Sequence, residues 1–522
     1  MPQNSGLVLL LELVKEAKIG SIVPVYKELN EEIDALDYFR KLSNYGNKKN
    51  SILMQDNEKS FGSADPCLIV IGRGNGFEIA ALSNTGKKFL SFIKKDFKFC
   101  DKAIYKKDRV YGTLTTTKKQ VSEQEKLKQK SHLDILRAIA FKFKVTEKPF
   151  SPCCGLFGTI SNDFIAGNEN LQVNEDKLSD PDYILYFLDN MFIVDHKEKK
   201  TYFVANALVT DNKKEDAYRE CNRKIISYEK TASKKAPKAR KYKKKNMEVS
   251  YNTSNEEFSA LMRKLKNDVS DGNTLYASPS RLVTANCNAE PLGIYSKLKD
   301  NNPGSALCFI NDGSGITVSC GAESFLSVHD RTVELGICTS RIQREISKDQ
   351  ADNDNRHEAL LKTKEDEIFF NLMLLDDARN SIARISEKGT RFVEKMFEVN
   401  KLPKYQYMSS TVKGTLKESL DALHALSATA NSAGIPKASS MQLLNKIEKA
   451  KRPLNSCSLV CLSPDKELYG MGIEPMRIKK GIACIRAASR VFNGSNDEKD
   501  LMASDERASR FLEAIKSAGG VK

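Results

Sequence analysis

The order of apolar and polar positions along these 522 residues changes period several times. Cys67–Ile71 and Phe77–Ala81 are β-rich runs on either side of Gly72-Arg73-Gly74-Asn75-Gly76, a pattern that predicts a hairpin. No helix start follows that glycine turn, so a phosphate-binding loop is not expected there. Ser131–Lys144 switches to helical spacing through Leu133, Ile135, Leu136, Ile139 and Ala140. Tyr183–Leu188 and Met191–Lys197 read as two strands paired with each other. Asn255 is placed to cap a helix with Glu256 and Glu257 in its first turn. Phe258, Leu261, Met262 and Leu265 form the apolar face of that helix. Ala306–Ile310 and Gly315–Ser319 flank an Asn311-Asp312-Gly313 turn. Strands interleaved with helices, without an internal repeat, predict a mixed α and β chain.

Composition narrows the class. Hydrophobic residues make up 40% and charged residues 29%, the balance of a globular protein with a sizeable core. The apolar stretch Leu7–Val14 is short, is interrupted by Glu12 and has no cationic segment before it. Neither a membrane span nor a signal peptide is expected, and the chain is read as cytoplasmic. The twelve cysteines are scattered, with no Cys-x-x-Cys pair, which fits reduced core thiols. Lys230–Lys245 holds nine basic residues and no acid, a large share of the net charge of +15. With Pro237 inside it and Tyr242 as its one ring, it reads as a solvated linker and not as a nucleic-acid site.

Several segments resemble anthranilate synthase component I, a chorismate-utilising family. The resemblance rests on Asn371-Leu372-Met373-Leu374-Leu375-Asp376-Asp377-Ala378-Arg379-Asn380, on Leu420–Ala425 and on Pro436–Leu444, in the family's order and spacing. Weaker matches lie at Cys154–Gly167, Tyr183–Lys197 and Ala277–Arg281. The resemblance implies an α/β (α+β) sandwich: two large antiparallel sheets face to face, with helices outside. It implies an N-terminal region 1–229, a basic linker 230–247 and a catalytic-type region 248–522, the two regions intertwined in one unit. It also implies chorismate as substrate, a glutaminase partner subunit and Mg2+.

The same resemblance assigns site positions. Glu367 falls where the family has its first metal-helix glutamate, and Phe370 replaces the second. On the last helix, Asp500 keeps a carboxylate, whereas Ala503 has none. Glu474 stands at a substrate-clamping arginine and is expected to be an uncompensated carboxylate there. Arg486–Arg490 replaces a glycine loop, so the backbone amides lose their close approach to an anion. Ser340, Arg341, Gly434 and Lys437 are the retained substrate-binding positions. Tyr407 takes the position of the catalytic histidine, and Cys338 that of a lysine in the sister aminodeoxychorismate synthases. A phenol, with a pKa near ~10, is a poor substitute for an imidazole acid. Asp376, Arg379 and Asn380 are read as a buried pairing that holds the fold.

Asn302–Cys308 matches the family's tryptophan feedback motif with altered pocket residues, and no partner motif is visible near Val23–Tyr26. Tryptophan binding is therefore not expected. The lineage points to conversion of chorismate and ammonia to anthranilate and pyruvate, and the substitutions point to activity lost or strongly reduced. The competing reading is a non-catalytic scaffold, associated with nucleic acid through the basic linker.

Overall fold

The computed structural model describes residues 3–115, 129–147, 149–161, 164, 179–237, 246–344, 349–429, 433–448, 452 and 457–520. Part of the Cys154–Gly167 match and Lys238–Lys245 of the basic stretch lie outside these residues. Two curved antiparallel layers dominate. One runs Ser21–Leu29, Lys200–Leu208, Asn190–Asp195, Lys59–Ser63, Ser51–Gln55 and Leu307–Asn311 in spatial order. The other runs Arg109–Thr113, Gly76–Ala81, Leu68–Arg73, Tyr183–Leu188, Gly155–Ser161 and Cys457–Leu462.

Alternation along single strands shows how the layers pack. Tyr183, Leu185 and Phe187 point into a core shared with the helices Asn84–Ile93, His132–Ala140 and Ala422–Thr429. Their neighbours Ile184, Tyr186 and Leu188 point into a second core whose buried members all come from strands. Side chains one apart face opposite sides of a sheet, so this strand-only core lies between the layers. A third core joins the first layer to the helices Lys214–Ala232, Pro291–Asn301 and Asp497–Ile515. The sandwich with helices outside is the architecture expected from the sequence.

The layers are continuous with each other through two long strands. Ile316–His329 pairs with Leu307–Asn311 at its start and with Thr332–Gln343 at its end. Leu468–Lys479 runs beside it and pairs with Cys457–Leu462 in one layer and Ile482–Ala488 in the other. Register shifts between Ser319, Ala322 and Ser324 bend the pair at the corner, as bulges do.

Three local expectations are corrected. Tyr183–Leu188 and Asn190–Asp195 do not pair with each other: each belongs to a different layer. Asp189 alone separates them, and one residue is too short for a hairpin turn, whose shortest common form has two. The cap of helix Asn255–Ser270 is Ser254, in a capping box with Glu257. Asn255 is already inside the helix, and its Oδ1 accepts from Arg281 at 2.6 Å. Finally, helix Lys214–Ala232 runs through Lys230. A lysine in the last turn suits the negative end of the helix dipole, so the basic stretch begins as helix.

Candidate functional site

The site helix, Glu365–Ile385, buries Glu367, Phe370, Asn371, Leu375, Ala378, Ser381, Ile382 and Ile385. These recur every three or four residues, so one stripe faces the protein and carries Glu367 inward with the apolar residues. Asp376 and Arg379 lie on the outer face, 3.5 Å apart and 65% and 44% exposed. The expected buried pairing is therefore a solvated surface pair, worth little to stability.

The Glu367 carboxylate is enclosed by donors. Ser340 Oγ donates to Oε2, and Lys364 Nζ lies 3.2 Å from Oε1. Arg490 spans both oxygens, with Nη1 3.2 Å from Oε2 and Nη2 3.1 Å from Oε1. Burial by itself would raise the Glu367 pKa, but the Arg490 charge and the hydrogen bonds from Arg490 and Ser340 outweigh it and bring it to about 2. The Arg490 guanidinium also lies 4.9 Å from the ring centre of Phe370. Phe370 in turn packs edge-on against Tyr276 at 5.2 Å and lies tilted against Phe492 at 5.0 Å.

Asp500 is buried on the C-terminal helix Asp497–Ile515. Burial, with the charges of Glu367 and Asp497, raises its pKa to about 6 against the pull of Arg490. Glu367, Arg490 and Asp500 thus share one electrostatic neighbourhood. Gly434 and Lys437 reach the same region through a small sheet in which Tyr276–Ala277 pairs with both Gly434–Ile435 and Val491–Phe492. A Cβ on Gly434 would lie 2.3 Å from the Ser440 Cβ and 2.4 Å from the Tyr276 carbonyl oxygen, so close packing demands this glycine. Lys437 opens helix Lys437–Ile447; burial raises the pKa of half-buried Asp377, and the charges of Arg384 and Lys437 pull against it.

Arg341 and Tyr407 are elsewhere. They are register partners on the adjacent strands Thr332–Gln343 and Tyr405–Thr415. Gln406 and Ser410 face the helices, where Ser410 Oγ donates to Asn371 Oδ1 at 2.7 Å. Tyr405, Tyr407 and Ser409 face the other way, into a cavity of about 650 Å³ that Cys338 and Arg341 also line. A bulge between Thr339 and Arg341 sets both Thr339 and Ser340 on the helix side, with Ser340 at the left-handed φ of 51°. The structure therefore brings Ser340, Glu367 and Asp500 around Arg490 and leaves Arg341 and Tyr407 on the opposite face of the same strand pair. Burial, helped by Cys338 and Tyr405, pushes the Tyr407 phenol up to about 12.

One sequence expectation about charge is corrected. Glu474 is compensated: Arg507 lies 3.3 Å and Arg510 2.5 Å from its oxygens, both from the C-terminal helix. Arg486, in the altered glycine segment, joins a buried network with Glu448 and Arg452. There the Ser280 N–H and hydroxyl donate to Glu448 at 2.7 and 2.9 Å. Burial would raise the Glu448 pKa, but Arg452 and Arg486 hold it down. Sequence reasoning missed Arg490 and Glu448 as site-forming residues. The signal for Arg490 was present: a cation appears at a glycine position while the facing carboxylate position becomes Phe370.

Other clusters carry less chemistry. Ser60, His196 and Glu32 line up at 2.7 Å each in the order of a hydrolase triad, but Ser60 is fully buried, which closes its hydroxyl to a substrate. His329, Asp330 and Glu467 gather at the cavity rim, yet the two carboxylates approach opposite nitrogens of the ring, so they do not converge on one ion. Leu307 and Cys308 of the Asn302–Cys308 segment pair with Ser51–Gln55 on one side and Ile316–His329 on the other, whereas Val23–Tyr26 pairs with Val204–Ala207.

A family model of chorismate binding enzymes matches residues 93–513. The chain belongs to the chorismate-binding enzyme family. Among curated relatives, anthranilate synthase component 1 of Vibrio cholerae is 27% identical over 471 residues, which cover 88% of this chain and 89% of the relative. That of Buchnera aphidicola subsp. Diuraphis noxia is 29% identical over 455 residues, covering 85% and 87%. Among solved structures, anthranilate synthase component I from Streptococcus pneumoniae TIGR4 superposes with a TM-score of 0.68 at 19% identity, covering 87% of this chain and 92% of that one. The menaquinone-specific isochorismate synthase of Escherichia coli gives 0.62 at 12% identity, covering 99% and 100%. This chorismate-binding family member is thus anthranilate synthase component I-like, with the shared fold over nearly its whole length. Among the described residues, no helix is long and apolar enough to cross a membrane.

Proposed function

We propose that this chain derives from anthranilate synthase component I and keeps the scaffold with conversion of chorismate and ammonia to anthranilate and pyruvate lost or strongly reduced. The observation that carries this reading is the closed Glu367 carboxylate. Both of its oxygens are engaged by Arg490, and Phe370 fills the neighbouring position with an apolar ring. Opening the chorismate ring calls for a group that moves a proton at the leaving hydroxyl. Tyr407 stands at the position the resemblance gives to that group, but it faces the cavity on the far side of the strand pair from Glu367. Its raised pKa keeps it a neutral phenol, poorly suited to give up a proton near neutral pH.

Chorismate as a ligand and a glutaminase as a partner remain part of the reading, supported by relatives named as component 1. A cytoplasmic location belongs to it on the same ground. The test is a fluorescence assay for anthranilate with the purified full chain, chorismate, magnesium and excess ammonium salt. Ammonium removes the need for a glutaminase, so the assay reads this chain alone. We expect no anthranilate above the uncatalysed background. Product at an ordinary enzymatic rate, roughly 1 s⁻¹ or faster, would overturn the proposal.

A further inference from the structure

Chorismate-binding enzymes of this family typically use Mg2+, and a hard divalent cation needs several oxygen donors at fixed geometry. The residues here do not fit it. Glu367 has both oxygens occupied, Phe370 and Ala503 offer no donor, and Asp500, with Asp497 beyond it, supplies the remaining carboxylate charge. What stands between the two acidic helices is a guanidinium. Arg490 reaches Glu367 of the site helix with two parallel N–H···O contacts, rests on the face of Phe370 and exerts its charge on Asp500 of the C-terminal helix. A delocalised, always-charged fork on a carboxylate, backed by an aromatic face, is a fitted cation site.

We infer that Arg490 is the built-in replacement for the divalent cation, so that this chain neutralises Glu367 with its own guanidinium and takes up no metal there. The loss of a carboxylate at Phe370 and the gain of a cation at Arg490 are two halves of one exchange. A carboxylate at Phe370 would add a second negative charge beside Glu367, and a glycine at Arg490 would leave buried Glu367 with only the half-exposed Lys364 as a charged partner. The inference rests on the family reading and not on the loss of turnover. Its test reads metal binding and melting, so a working enzyme and a metal-free site are distinguished.

Mn2+ is the probe, because its electron paramagnetic resonance signal falls when the ion is bound. The full chain is titrated with Mn2+ beside E367Q, and wild type, R490A and R490K are melted with and without millimolar Mg2+. The expected result is no stoichiometric Mn2+ retention by wild type and no shift of its Tm with Mg2+. R490A is expected to melt several degrees lower, with R490K recovering part of the loss because it keeps the charge without the fork. Stoichiometric Mn2+ retention by wild type that E367Q abolishes would overturn the inference. So would equal melting of R490A and wild type, since the guanidinium would then neutralise nothing. If R490A does not fold, the wild-type and E367Q titrations decide alone.

Discussion

Arg490 and Glu367 meet as a two-pronged ion pair across two elements that are 123 residues apart in the chain, with contacts of 3.1 and 3.2 Å. Glu367 is nearly buried, so its charge depends chiefly on that partner, with Lys364 as a second, more exposed cation. Removing the arginine charge with R490M should cost about 2–3 kcal/mol, below the range of a fully buried pair because Arg490 is partly exposed. The double variant R490M/E367Q should recover part of that loss, and chemical denaturation of the four proteins gives the coupling.

The same pair sets an acid limit. The Glu367 carboxyl falls from 4.5 to about 2 on folding. A lowered carboxylate pKa contributes stability that is fully present above the unfolded value and is lost as pH falls through the folded one. Wild type should therefore lose this contribution between about pH 4.5 and 2, and E367Q should lose less over that window. Stability measured as a function of pH for the two proteins checks this.

Asp500 works in the opposite direction. Its pKa rises from 3.8 to about 6, so folding favours the protonated acid. The favourable contribution is present below about pH 3.8 and disappears as pH rises through 6, leaving a strained anion at neutral pH. D500N should stabilise the chain at pH 7.5 by roughly 1 kcal/mol, discounted for screening by nearby water, and should change little at pH 4. A destabilised D500N at pH 7.5 would show that the carboxylate has a partner its charge requires.

Restoring the arginine that the resemblance places at Glu474 should fail. Arg507 and Arg510 both face that carboxylate, so E474R would put three cations together. E474R should be less stable than E474Q by about 2 kcal/mol or more, and the gap should close when Arg507 and Arg510 are made neutral. Thermal melts at low and high salt test this, because repulsion at the partly exposed rim is screened.

G434A should destabilise by about 1–3 kcal/mol, through overlap of the new methyl group with Ser440 and the Tyr276 carbonyl. The measurement is the denaturation midpoint. An unchanged midpoint would mean that the small three-stranded sheet yields more readily than its spacing implies.

Much of the fold is legible in local pattern. The hairpin Leu68–Ala81, the helix starting after Ser131 and the amphipathic helix after Ser254 follow from spacing and capping residues alone. Lineage is legible too, through framework segments such as Asn371–Asn380, where Asn371, Leu375 and Ala378 are buried. Pairing partners were not legible. Tyr183–Leu188 and Asn190–Asp195 have the same apolar character, and only the bend at Asp189 sends them into different layers.

Charge compensation was the other hidden quantity. In sequence, Glu474 is a carboxylate at an arginine position, and Arg490 is a bulky residue in a glycine loop. Only the folded chain shows that Arg507 and Arg510 answer the first and that Glu367 answers the second. The sequence by itself determined the elements, the family and which site positions had changed type, since these depend on each residue and its near neighbours. The tertiary structure decided which strands pair, which face of its strand Tyr407 occupies and which cation meets Glu367. Those depend on groups distant in the chain, such as Glu367 and Arg490 at 123 residues apart, and Coulomb energies and packing are set by distance in space.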